Sequence, residues 1–175
     1  KKILKIAKKN KINIPFVRPK YLSGDKVPEL NVWKHFSSYL KKINDIPDYI
    51  IILPITSPLR EKQDISNAIR KINNKNYDVI FSLTKSSKNP YFNIVKIYNG
   101  KIKPVVKSKK KIFRRQDAPQ CYDITTILYL VRYKYLIKCK NIYNTNKMNY
   151  IIVPKKRSID IDTKFEYELV KSISN

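Results

Sequence analysis

The sequence predicts an α/β fold built on a largely parallel sheet. Short apolar runs alternate with segments whose apolar residues recur at helical spacing, and this alternation is typical of strand–helix–strand units. A chain of 175 residues with 42% hydrophobic residues is large enough to bury a core. We therefore expect one folded domain over 1–175 and not a disordered basic tail.

The first half of the chain alternates between helix and strand. Ile3–Lys9 has an amphipathic helical pattern, and a short strand is predicted at Pro15–Val17. Apolar residues at helical spacing predict a second helix over Val32–Ile43. Tyr49–Leu53 is apolar on both faces, as expected of a central strand. A helix through Ile65–Ile72 follows.

The second half is predicted to hold most of the strands. Val79–Leu83 completes the strand–helix–strand unit that begins at Tyr49. Asn99-Gly100 is a strong turn signal for a β-hairpin. The remaining predicted elements are hairpin strands within Phe92–Tyr98 and Lys101–Val106, strands at Thr125–Val131 and Tyr150–Val153, and a helix from Lys164 to Ile173.

The positive charge of the chain does not by itself identify a partner. There are 38 Lys and Arg against 13 Asp and Glu, a formal net charge of +25, and such an excess can neutralise phosphates. Most of it is scattered Lys, accompanied by many Ile and Asn, which all have AT-rich codons. Only Lys107–Arg115 concentrates basic residues, and no nucleic-acid motif accompanies them. Nucleic acid is therefore not the expected partner.

Cysteine content and hydropathy point to a cytoplasmic protein. Cys121 and Cys139 form no C-x-x-C pair, which argues against a zinc site or disulfide framework and favours a reducing compartment. No apolar run approaches the roughly 20 residues that span a bilayer. No signal peptide is visible, although the chain starts at Lys1 without methionine. We expect no membrane partner.

Two carboxylates stand one residue apart before the last predicted helix. In extended backbone Asp160 and Asp162 point to the same face, which suits a hard cation such as Mg²⁺ with its oxygen ligands. The alternative is that Asp162 or Thr163 caps the helix, because Thr163 and Glu166 match the capping-box pattern. The two interpretations can coexist, since capping leaves Asp160 without a role.

Three loops carry further polar residues. Thr56 and Ser57 offer hydroxyls and amides after a predicted strand and could bind a nucleotide, or simply cap the next helix. Arg115 and Gln116 could grip a carboxylate and a hydroxyl, or form a solvated basic loop. Arg18 lies in a Pro/Gly loop whose pattern alone is a weak signal. The only histidine, His35, is expected to be a packed helix residue and not a catalytic base.

Four segments in this order resemble the acylneuraminate cytidylyltransferases, also called CMP-sialic acid synthetases. They are PFVRPKYLSGD at 15–25, TSPLR at 56–60, RRQDAPQCYDITT at 114–126 and RSIDIDT at 157–163. The combination of RRQDAP and SIDIDT is specific, and the series covers essentially the whole chain.

The resemblance implies a three-layer nucleotidyltransferase fold of the glycosyltransferase-A type, usually dimeric. It implies coupling of CTP to a nine-carbon 2-keto sugar acid, giving a CMP-sugar and pyrophosphate. By position, Asp160 and Asp162 match the carboxylates that bind Mg²⁺ and support catalysis. Arg18, Thr56 and Ser57 fall on the nucleotide side, and residues 115 and 116 fall in the region that meets the sugar acid.

The sequence departs from the family pattern in three places. Family members open with a first strand and a glycine-containing basic loop, whereas this chain has no such segment and only two glycines. We therefore expect a fragment without that strand and loop, inactive on its own. Pro54 stands where many members have glutamine, which puts one nucleotide contact in doubt. YDITT at 122–126 replaces the NGAIY type and suggests a divergent pocket, for example for a legionaminic- or pseudaminic-type acid.

Two alternatives remain at the level of sequence. One is another nucleotidyltransferase of the same fold, with Kdo or an alditol phosphate as substrate. The other is a basic nucleic-acid-binding module centred on Lys107–Arg115.

Overall fold

The computed structural model describes residues 2–107 and 112–174. Its longer helices and strands follow the predicted order closely. In chain order they are α1 (Lys2–Lys9), α2 (Glu29–Lys42), β1 (Tyr49–Ile52), α3 (Lys62–Asn74), β2 (Val79–Lys85), β3 (Val95–Tyr98), β4 (Lys101–Pro104), β5 (Tyr122–Arg132), α4 (Tyr133–Leu136), β6 (Met148–Ile152) and α5 (Lys164–Ser174).

The main sheet is mixed, with strand order β1-β5-β2-β6. The expectation of a largely parallel sheet is wrong for the pairing: β5 runs antiparallel to both β1 and β2, and only β2 with β6 is a parallel pair. Because β5 lies between them, β1, β2 and β6 still point the same way. Their carboxyl ends therefore meet at one edge, where ligands of open α/β sheets usually bind.

Two local predictions also need correction. Within the described residues β1 is an edge strand paired only with β5, not a central strand. Pro15–Val17 forms no strand and has no ladder partner in the described ranges, and it instead packs on α2 through Phe16, whose ring centroid lies 5.0 Å from that of His35. Extended backbone alone does not make a strand, because a strand needs a neighbouring chain to receive its hydrogen bonds.

Helices cover both faces of the sheet, which gives three layers. Alternate residues of β2 point to opposite faces, so Val79 and Phe81 pack on the side of α2 and α4, whereas Ile80 packs on the side of α3. Ala68 and Ile72 in the apolar stripe of α3 are buried against this second face, and Ile65 and Ile69 are partly buried there.

The β3–β4 hairpin forms a separate two-stranded sheet. Asn99 and Gly100 have φ values of +49° and +68°, which is the pair of left-handed conformations that a tight two-residue hairpin turn needs. The prediction from Asn99-Gly100 is confirmed. No helix among the described residues is long and apolar enough to cross a membrane.

Candidate functional site

Two of the predicted motifs meet at the carboxyl ends of the strands. TSPLR follows β1 and RSIDIDT follows β6. The amide of Ile161, which lies between the two aspartates, donates a hydrogen bond to the carbonyl of Thr56 at 2.8 Å. This bond fixes the aspartate loop against the Thr56–Ser57 turn, although more than a hundred residues separate them in sequence.

The Thr56–Ser57 turn and the following Arg60 also form hydrogen bonds with β5. Ser57 is fully buried, and its hydroxyl lies 2.5 Å from that of Thr126. The guanidinium of Arg60 donates to the carbonyl of Ile127 and, at 2.7 Å, to that of Pro54. Burial lowers the pKa of Arg60, an effect that nearby Asp64 partly offsets. The hydroxyl of Ser57 thus already has a protein partner, and its predicted contact with a nucleotide stays a prediction.

The segment of β5 that Ser57 and Arg60 contact is a β-bulge. Phe81 pairs with Tyr129 but the next residue, Ser82, pairs with Thr125, so residues 126–128 are looped out of the ladder. The buried Ser82 hydroxyl fills the gap and accepts a hydrogen bond from the amide of Leu128 at 3.0 Å. Bulges are common beside active sites because they redirect side chains locally. Here the bulge lies in the YDITT segment and its continuation.

The cap of α5 is made by Thr163 and Glu166. The Glu166 carboxylate accepts a hydrogen bond from the Thr163 amide at 2.8 Å, and the Thr163 hydroxyl accepts one from the Glu166 amide at 3.3 Å. The hydroxyl of Thr163 is the main cause that lowers the pKa of Glu166. The predicted capping box is confirmed, and it uses the side chain of neither Asp160 nor Asp162, although the Asp162 amide also donates to the Glu166 carboxylate at 3.0 Å.

The Asp160 carboxylate is incompletely satisfied. Its Oδ1 atom is buried and has no hydrogen-bond partner among the described residues, whereas Asp162 is exposed. A buried carboxylate oxygen without a partner is costly, and a hard cation would remove that cost. Among the described residues no group of three or more His, Cys, Asp or Glu side chains is placed so that it could hold a metal ion by itself. The donor set nevertheless fits Mg²⁺, which commonly uses one or two carboxylates and completes its shell with water and phosphate oxygens.

A buried ion pair anchors the aspartate loop to α3. Arg157, which opens the RSIDIDT motif, donates to both oxygens of Asp64 at 2.5 and 3.0 Å. Asp64 also accepts a hydrogen bond from the Glu61 amide at 2.9 Å, closing the start of α3. The Asp64 hydrogen bonds raise the pKa of Arg157. Sequence reasoning missed Asp64, since a carboxylate in the first turn of a helix looks like an ordinary cap.

A cleft of about 420 Å³ opens beside Asp160. Its walls come from the end of β2, the amino-terminal half of β5, the loop after β6 and the start of α5. The lining residues are Thr84, Asp123, Ile124, Thr125, Thr126, Lys155, Ser158, Ile159, Asp160, Phe165, Glu166 and Leu169. The cleft has the size of a small-molecule site.

A second, more basic cleft of about 690 Å³ lies at the same end of β2. Arg115 and Gln116 line it together with Lys85 and Lys88. Arg115 belongs to a short 3-10 turn over Arg115–Asp117 and donates to the Ser87 carbonyl at 2.5 Å. Since Thr84 and Lys85 are consecutive in β2, the two clefts flank one strand end. The structure thus brings the RRQ segment near the aspartate loop without placing both in one cavity.

Arg18 is not part of this junction. It is exposed in the segment that precedes a 3-10 turn at Lys20–Leu22. His35 packs against Phe16 and lies 6.4 Å from the ring of Tyr21, in agreement with a packing role. Within the predicted basic segment Lys107–Arg115, residues 108–111 lie outside the described residues.

Comparison with known proteins points to one class. No protein-family model matches the chain, but its likeness to CMP-nonulosonic acid synthetases, indicated by the motifs, is confirmed by curated relatives. A Post-translational flagellin modification protein B from Campylobacter coli is 28% identical over 174 residues, 97% of this chain and 71% of the relative. CMP-N,N'-diacetyllegionaminic acid synthase from Campylobacter jejuni is 27% identical over 178 residues, with the same two shares.

Proposed function

We propose that this protein is a cytidylyltransferase that joins CTP to a nonulosonic acid, giving a CMP-sugar and pyrophosphate. The observation that carries the proposal is the junction of the Thr56–Ser57 turn with the Asp160–Asp162 loop, where a buried carboxylate oxygen has no hydrogen-bond partner in the described part of the chain. The similarity to a CMP-N,N'-diacetyllegionaminic acid synthase supports the choice of nucleotide and acid.

Under this proposal Asp160 and Asp162 would hold Mg²⁺ at the edge of the cleft. The ion would neutralise charge on the phosphates of CTP and on the departing pyrophosphate. Arg157, through Asp64, and the Ile161 amide, through the Thr56 carbonyl, anchor the loop that carries both carboxylates. Thr56, half-buried beside them, is available to the nucleotide, whereas Arg115 and Gln116 offer charge and amide groups for the sugar acid. Most of the catalysis would come from positioning and electrostatics, without a protein nucleophile.

The test is pyrophosphate release from CTP by the chain with a first strand and glycine-containing loop of the family type restored before Lys1, in the presence of Mg²⁺ and a panel of nonulosonic acids, with Kdo included. We expect turnover with at least one nine-carbon acid, dependent on both the metal and the acid, and a CMP-sugar product in mass spectrometry. Replacing CTP by UTP, GTP or ATP should abolish it. No CMP-sugar from any acid, or exclusive use of another nucleotide, would contradict the proposal.

A matched pair of variants tests the metal-binding role. Asp160→Asn should lower turnover by orders of magnitude and weaken Mn²⁺ binding measured by electron paramagnetic resonance, because it removes a charge from the metal site. Asp45→Asn, at an exposed position after α2, should change neither. Retention of Mn²⁺ affinity and turnover in Asp160→Asn would exclude the proposed role of this carboxylate.

A further inference from the structure

Thr84 carries the second unpartnered polar atom of the site. Only two buried side-chain nitrogen or oxygen atoms in the described residues lack a hydrogen-bond partner, Thr84 Oγ1 and Asp160 Oδ1. Both residues line the same cleft. Thr84 is only 4% exposed, so bulk water does not supply the hydrogen bond that its hydroxyl lacks.

The neighbouring hydroxyls on this side of the sheet are all paired. Ser82 and Thr84 lie two residues apart in β2 and so face the same way. The hydroxyl of Ser82 is bonded to Leu128, and that of Thr125 donates to Ser82 at 2.8 Å. The hydroxyls of Ser82 and Thr125 therefore have hydrogen-bond partners within the protein. Valine has nearly the same shape as threonine and would fill the position of Thr84 without a polar atom to bury.

The charges around Thr84 indicate what the cleft accepts. Its lining holds three carboxylates, of Asp123, Asp160 and Glu166, against one cation, Lys155. Such a wall suits a polyhydroxylated acid, because carboxylates accept hydrogen bonds from hydroxyls and one lysine can pair with one carboxylate.

We propose that Thr84 is a further binding residue for the acceptor acid, with its hydroxyl bonded to a hydroxyl or carbonyl oxygen of the sugar. The inference rests on the proposed function and adds a residue to it. It predicts that the Thr84 hydroxyl serves the ligand and not the fold, so its removal should stabilise the free protein and weaken only acceptor binding.

The test compares Thr84→Val with Thr125→Val as a control whose hydroxyl is paired inside the protein. Thr84→Val should raise the Tm of the ligand-free protein, whereas Thr125→Val should lower it. With the acid that the full protein turns over, Thr84→Val should raise the KM for the acid about fivefold to tenfold, the effect of one hydrogen bond, and leave the KM for CTP unchanged. Thr84→Ser, which keeps the hydroxyl, should restore the KM for the acid.

Each contrary result has a distinct meaning. A lower Tm in Thr84→Val would show that its hydroxyl stabilises the fold, and an unchanged KM for the acid, or a raised KM for CTP alone, would show that it does not meet the acceptor. Either overturns the inference. Absence of turnover with every acid instead overturns the proposed function. In that case the affinity for N-acetylneuraminic acid is measured by NMR in wild type and in Thr84→Val. Equal affinities refute the inference that the Thr84 hydroxyl binds the acid.

Discussion

The ion pair between Asp64 and Arg157 should be among the most sensitive points of the molecule. The two side chains are only 5% and 14% exposed, with contacts of 2.5 and 3.0 Å. Asp64→Asn keeps the shape but leaves the guanidinium without its buried counter-charge. Removing one partner of a buried pair costs about 3–5 kcal/mol. We expect the lower end, about 3 kcal/mol, because Glu61 also reaches Arg157 at 3.2 Å from an exposed position.

Urea unfolding of Asp64→Asn, Arg157→Met and the double variant measures this effect. In the double variant no buried charge is left alone, so its loss of stability should be clearly smaller than the sum of the single losses. The control is Arg114→Met, which breaks the exposed pair with Asp117 at 3.3 Å and should cost about 0–1 kcal/mol. A cost below about 1 kcal/mol for Asp64→Asn, or additive single and double effects, would refute the reasoning.

Four further predictions concern the α5 cap, the two cysteines and the β3–β4 hairpin. Thr163→Ala should destabilise the protein by about 1 kcal/mol through loss of the α5 cap. The pKa of Glu166 is lowered from its ordinary value of 4.5, so its stabilising effect should be present above that pH and disappear as the pH falls through the lowered value; denaturant unfolding between pH 3 and 7 (roughly the range of carboxyl titration) checks both. Cys121, half-exposed, should react with a thiol reagent well before Cys139, because burial raises the pKa of the Cys139 thiol. Gly100→Ala should cost about 1 kcal/mol and loosen the β3–β4 hairpin in hydrogen exchange, because φ is +68° there.

The controls for these predictions lie in the same chain. Gly24→Ala should be nearly neutral, because its added Cβ would meet nothing closer than Val27 Cγ2 at 3.8 Å. A similar loss of protection from both glycine variants would speak against the conformational explanation. Equal rates of thiol modification in the folded state would mean that Cys139 is more accessible than its 7% exposure indicates. In Glu166→Gln the part of the pH dependence due to the cap should vanish.

Local patterns predicted most of the elements but not the direction of one strand. The helical spacing of Ile65, Ala68 and Ile72 and the Asn99-Gly100 turn depend on neighbours in sequence, and both are confirmed. The antiparallel direction of β5 depends on what joins it to β2. The described residues of that connection form the hairpin and no long helix, whereas a parallel return usually needs a helical crossover. The alternation of apolar runs does not reveal this difference.

In the candidate site, too, residues could be predicted where the signal comes from sequence neighbours and not where it depends on a partner far away in the chain. Asp160 and Asp162 stand out because acidic residues are rare in this chain, and the capping box of Thr163 with Glu166 can be recognised from spacing alone. Asp64 could not be recognised, since its partner Arg157 lies 93 residues away. Thr84 was missed for a related reason: an unpartnered hydroxyl is visible only when every possible partner has a position.

The hydrogen bonds around the β5 bulge require a particular side chain at some positions and only a backbone group at others. Arg60 donates to the carbonyls of Ile127 and Pro54, and the amide of Ile161 donates to the carbonyl of Thr56. A backbone carbonyl is present whatever side chain its residue carries. Substitutions that respect packing at 54, 56 and 127 can therefore accumulate without breaking these bonds, whereas the donor at position 60 cannot be replaced by an apolar residue. In a saturation library selected for folding, tolerance at the acceptor positions should follow side-chain volume, and tolerance at Arg60 should follow hydrogen-bonding capacity.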